Sequence, residues 1–177
     1  MPSADAARPS RCGACGEPSR VVGEALGLHG HGLRARQLYE LLQTAGPSKT
    51  LEVVLRRYFC VRCSGITMVG PRGVVPRHLY GLGTILVALW MWSMWPLPAP
   101  KVRDALRPWR RSGDACIGRW ASLERWARRL PWPNKLELPP GLRPREMARR
   151  RVQVALSYAP TGPPDAAAVM AGCVQVA

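Results

Sequence analysis

The sequence is short of acids, nearly without lysine, and has a single phenylalanine in 177 residues. Eleven Asp and Glu face 26 Lys and Arg, only three of them Lys. That preference for Arg also matches the coding bias of a GC-rich genome, which raises the Arg count without a functional cause. No Ser/His/Asp or Cys/His arrangement, P-loop or GxGxxG is present, so catalysis is not expected. The start, MPSADAARPSRC, has no apolar stretch, so a secretory signal is not expected either. Cysteines in such a chain are expected to be reduced, in a cytoplasm, where paired cysteines read as metal ligands before disulfides. Nothing repeats beyond two cysteine pairs.

What is abundant is positive charge, proline and glycine. The formal net charge is +15, with 18 Pro and 17 Gly dividing the chain into short pieces. Residues 101–151 carry net +10 and residues 1–78 net +6. A field of that sign attracts nucleic acid, anionic membrane or an acidic protein.

The strongest chemical signal is Cys12-Gly-Ala-Cys15-Gly16 with Cys60-Val-Arg-Cys63-Ser64-Gly65. Thiolates at i and i+3 reach one ion when the backbone turns tightly between them. A following Gly supplies the positive φ that lets N–H groups reach the sulfurs. Cys12, Cys15, Cys60 and Cys63 are therefore the candidate ligands of one Zn2+. The 44 residues between the pairs require an inserted hairpin or helix. A redox CxxC is the competing reading, though that motif normally occurs singly at a helix start. His29 and His31 are further candidates to replace or supplement a sulfur. Cys116 reads as core, and Cys173 is uninformative.

Around these pairs, Leu51–Phe59 predicts a strand and Val21–Leu28 a second, short one. Leu33–Gln43 fits alternation and a helical stripe equally. Leu79 to Pro100 is a 22-residue run without charge, closed by Pro96, Pro98 and Pro100, so a helix should end near Trp95. A 17-residue helix there would span about 26 Å, less than the roughly 30 Å of a bilayer core. A buried helix and a membrane segment over Leu79–Leu97 both remain readings of this run.

Lys101–Trp109 suits a short helix and Arg110–Gly113 a turn. Asp114 can cap a further helix to about Leu130. Cys116, Trp120, Leu123, Ala127 and Leu130 share one face of it; Ser122, Arg125, Arg128 and Arg129 lie on the other. A helix-turn-helix built this way would turn Ala115, Gly118, Arg119 and Ser122 toward bases. Arg110, Arg111, Arg125 and Arg129 would lie nearer phosphates.

From Cys12 to about Leu130 the chain resembles the N-terminal zinc-ribbon and helix-turn-helix region associated with bacterial insertion-sequence transposases. The matching features are the CxxCG start, the Gly/His/Arg stretch His29–Arg36, Arg56–Cys63, Pro76–Tyr80 leading into an apolar helix, and Ile117–Trp120. The resemblance implies DNA binding, with the ribbon buttressing the helices, and a transposase or other protein as a further candidate partner. The three-carboxylate catalytic domain of such enzymes is missing, because the part after Leu130 is too short and Pro-rich to form it.

The expected fold is thus α+β, a small zinc ribbon followed by a three-helix, helix-turn-helix-like segment. Its expected divisions are a flexible tail 1–11, a ribbon 12–70, a helical module 77–131, and a basic, then low-complexity, largely disordered tail 132–177. The expected function is DNA recognition without catalysis. The alternatives are a protein–protein adaptor or a single-pass membrane protein.

Overall fold

The computed structural model describes residues 3–42, 47–95, 97–107, 120–130, 137–159, 165 and 167–171. Over these the protein is α+β. Strands β1 (Leu28–Glu40), β2 (Lys49–Cys60) and β3 (Ile66–Val69) form an antiparallel sheet in the order β1-β2-β3. Helices α1 (Leu82–Ser93), α2 (Ala99–Leu106), α3 (Ser122–Arg129) and α4 (Pro144–Ser157) follow. Two compact units divide the chain: Met1–Gln37 with Glu52–Pro71, and Leu38–Leu51 with Arg72–Ala177. The boundary therefore cuts both long strands.

In the first unit, β2 is the strand expected from its β-branched and aromatic residues. It pairs with β3 through Arg56–Val69, Arg57–Met68, Tyr58–Thr67 and Phe59–Ile66. The ambiguous stretch from Leu33 resolves as strand, so the segment between the cysteine pairs is a hairpin. Of Val21–Leu28, only Leu28 is strand, as the first residue of β1. The Glu24 N–H donates to Val21 O and Gly23 takes φ 83, making a turn, and Val22 is fully exposed. Valine's strand preference reflects packing on a pleated surface, and here there is none to pack on.

The N-terminal segment is pinned rather than a flexible tail. Tyr58, fully buried, donates its hydroxyl to Ala4 O at 2.6 Å. Arg8 lies over the Tyr58 ring at 5.7 Å, donates to Leu28 O and pairs with Asp5.

The second unit is built round α1. Its twelve residues are buried on nearly every side, as a helix apolar all round must be. α1 packs against α2, α3 and α4, and α3 also packs on α4. The helix begins at Leu82, not Leu79, because the preceding backbone is held extended. Tyr39 N–H donates to Leu79 O at 2.7 Å and Gly81 N–H to Tyr39 O at 3.0 Å. At twelve residues it is about 18 Å long, well below a bilayer core. No helix among the described residues is long and apolar enough to cross a membrane.

Pro100, read as a terminator, instead sits in the first turn of α2, where a missing N–H costs nothing. α3 starts at Ser122, with Trp120 outside it and Ala121 at its cap. The expected Asp114 cap and Cys116 lie outside the described residues, as do Arg110–Gly113.

Within the expected disordered tail, α4 is a core element. Ala148, Arg151, Val152 and Ala155 form its buried stripe, and Pro144 opens it. The Glu146 carboxylate accepts from Arg143 N–H at 2.8 Å. The buried Arg151 donates its Nε to Ala127 O at 2.9 Å, near the C-terminal end of α3 where a cation is favoured. A helical stretch at 167–171 adds the buried Val169.

Candidate metal centre and basic cavity

Cys12, Cys15, Cys60 and Cys63 come together in the first unit, with all four sulfurs within 4.8 Å of one another. Cys12 Sγ lies 3.8 Å from Cys63 Sγ, and Cys15 Sγ lies 3.8 Å from Cys60 Sγ. Four thiolates about 2.3 Å from a central ion form a tetrahedron with edges of about 3.8 Å, so the spacing is that of a closed ligand set. These four residues can hold one metal ion.

Each pair sits on a tight turn. Gly16 N–H donates to Cys12 O at 3.0 Å, and Ser64 N–H to Cys60 O at 2.9 Å. Gly16 takes φ 74, as expected from a glycine after the pair. In the second turn that position belongs to Ser64 at φ 56, and Gly65 serves differently. A Cβ on Gly65 would lie 3.1 Å from Cys63 Sγ, so its role is close approach to sulfur. β2 carries Cys60 directly into the site, and Cys60 N–H donates to Gly65 O at 3.0 Å.

The electrostatics favour thiolate at one corner. N–H groups of Cys15 and Ala14, the latter 3.4 Å from Cys12 Sγ, with the Thr67 hydroxyl, bring the Cys12 thiol down to about 6. The Gly65 N–H pulls Cys63 down, but the neighbouring Cys15 thiol, burial, Cys60 and Cys12 push it up to about 12. Four sulfurs this close cannot all ionise unless a cation compensates them. Thr67 was not legible as part of the site. Its hydroxyl reaches Cys12 Sγ at 3.8 Å and accepts from Gly13 N–H at 3.1 Å, a link from β3 to the first cysteine turn.

His29 and His31 do not join the sulfurs. Both are exposed, and the His31 ring faces Phe59 at 6.0 Å.

Of the residues expected to meet DNA, Arg110, Arg111 and Arg119 lie outside the described residues. Ser122, Arg125 and Arg129 lie on one side of α3, at helical spacing. In the second unit they line, with Trp126 and Pro76–Tyr80, a cavity of about 560 Å³. Comparison with protein-family models, with curated proteins and with solved structures finds no match to this chain.

Proposed function

We propose that this chain is a zinc-containing DNA-binding protein, a transposon-associated recognition module that works in the cytoplasm without catalysing a reaction. The observation that carries the DNA reading is the pair of exposed arginines, Arg125 and Arg129, on α3. They project from a helix whose other side, Leu123, Trp126, Ala127 and Leu130, is buried. Such a helix presents guanidinium forks on a rigid support, the arrangement that suits phosphate oxygens. On this reading α2 and α3 belong to the helix-turn-helix. The two cysteine turns and the strands between them form a zinc ribbon, zinc being the ion that four thiolates in a closed tetrahedron suit best. The likeness to insertion-sequence transposases in Arg56–Cys63 and Pro76–Tyr80 supports the transposon association.

Fluorescence anisotropy of a labelled duplex against the metal-loaded protein over a salt series tests this. Binding should weaken steeply with salt, the logarithmic slope counting phosphates engaged. Absence of binding at low salt would end the DNA reading. One observation favours a protein–protein adaptor as second reading: Ile66 and Met68 expose apolar side chains from β3, with Leu33 exposed on β1. Retention of a protein partner in high salt by a chain that ignores DNA would decide for it.

A further inference from the structure

The cavity in the second unit has an electrostatic composition that nothing among the described residues balances. Three guanidiniums, Arg77, Arg125 and Arg129, line it together with His78 and Ser122, and among the described residues no carboxylate does. Among the described residues none of the three arginines forms an ion pair; Arg125 only donates to Ser122 Oγ at 3.3 Å. Arg128, on the same helix but outside the cavity, pairs with Glu124 at 3.5 Å. Arg125 and Arg129 stand at i and i+4, where like charges repel, and Arg77 adds a third from the loop before α1.

Arg77 is held at φ 61, in the left-handed region that a long side chain rarely occupies. Strain of this kind persists where the surrounding structure imposes it, and it concentrates at binding sites. The turn is locked on its other side by His78, whose Nδ1 donates to Pro76 O at 2.8 Å, since a carbonyl only accepts. The floor is apolar and rigid. Trp126 is buried, and the Tyr80 ring meets it edge-on at 5.5 Å. A dry floor beneath unpaired guanidiniums strengthens attraction for an anion.

We infer that this cavity is a binding site for phosphate esters, gripped by Arg77, Arg125 and Arg129. Guanidinium forks match phosphate oxygens in pairs, and 560 Å³ leaves room for the sugar attached to the phosphate. The phosphate belongs either to a nucleic-acid strand or to a free nucleotide. The first source rests on the DNA-binding reading above; the second does not.

Two probes separate the sources: inorganic pyrophosphate by calorimetry and a random-sequence duplex by anisotropy, both on the full-length, metal-loaded protein. The variants are Arg77→Ala, Arg77→Gly and, as control, Arg128→Ala. Glycine removes the guanidinium while easing the left-handed backbone, so Arg77→Gly is expected to fold at least as well as the wild type. Both Arg77 variants should bind pyrophosphate about tenfold more weakly, the effect of losing one charge-assisted contact, while Arg128→Ala binds as wild type. If duplex affinity falls in parallel, the bound phosphate is that of a nucleic acid; if only pyrophosphate binding falls, it is that of a small nucleotide. Pyrophosphate binding by a wild type that ignores the duplex would end the DNA reading and leave this site standing. Equal behaviour of Arg77→Gly and Arg128→Ala toward both probes would overturn the site, even where the wild type binds DNA.

Discussion

Replacing Gly81 with alanine would put a methyl carbon 1.5 Å from Glu40 Oε2 and 2.6 Å from its Cδ. The clash bears on how α1 is started. Its N-cap residue, Gly81, has no side chain to cap with, and Glu40 at the end of β1 takes over that task. The Glu40 carboxylate accepts from Thr84 N–H at 3.0 Å, from the Thr84 hydroxyl at 2.7 Å and from Leu41 N–H at 3.3 Å. Losing a cap costs about 1 kcal/mol, and orphaning part of the fully buried Thr84 adds a similar amount, so Glu40→Ala should destabilise by about 2 kcal/mol. Gly81→Ala should cost about 3 kcal/mol, because it displaces the carboxylate yet leaves its charge half-buried without partners. Once Glu40 is alanine the clash is gone. At φ −68 alanine is then as comfortable as glycine, and Gly81→Ala should become neutral or stabilise by about 0.5 kcal/mol. The double-mutant cycle should therefore show a coupling of about 3 kcal/mol. Urea titration followed by tryptophan fluorescence measures it, since all seven Trp fall in the Arg72–Ala177 segment. Additive effects of the two substitutions would refute this account of the helix start.

Burial raises the Glu40 pKa against the pull of its Thr84 and Leu41 hydrogen bonds, so the folded chain binds this proton more tightly than the unfolded one. Its contribution to stability is present below the ordinary carboxylate pKa and is lost as pH rises through the raised value; Glu40→Gln should gain on the wild type as pH rises above the ordinary carboxylate range, measured as unfolding midpoints. Cys60→Ser should abolish metal binding, counted by metal analysis, and melt the strand signal in circular dichroism. Among the described residues the first unit's cluster is Cys12, Leu28, Tyr58 and Cys60 with Val69 packed against it, too small to stand without an ion, whereas tryptophan fluorescence from the second unit should hardly change. Arg125→Ala and Arg129→Ala should each weaken binding to all duplexes alike and reduce the salt slope by about one, read by anisotropy.

The cysteine cluster was legible in the sequence because its information is local. Two CxxC turns fix where four sulfurs can go, and only the separation of the turns is left for the chain between them to close. β2 and α1 were legible for a related reason: a β-branched run and an uncharged apolar run each specify burial without reference to a partner. On the buried side of α3, Leu123 and Ala127 followed from 3.6-residue spacing, but Trp126 did not, and Trp120 lies outside the helix. Long-range relations decided the rest. α4 looked like a basic tail because its buried stripe contains Arg151, whose place inside depends on the Ala127 carbonyl, 24 residues earlier. The N-terminal segment looked loose because nothing in MPSADAARPS announces that Tyr58 and Leu28 will hold it. The start of α1 depends on Glu40, 44 residues before Thr84, so no reading of Leu79–Trp95 by itself could place it. The cavity exists only because Arg77, strained in one loop, is brought to the face of a helix that begins at Ser122. Local spacing determines which groups can share a turn or a face; only folding determines which distant backbone carbonyls, carboxylates and guanidiniums meet, and those meetings place a charge inside, cap a helix or bring three arginines to one cavity.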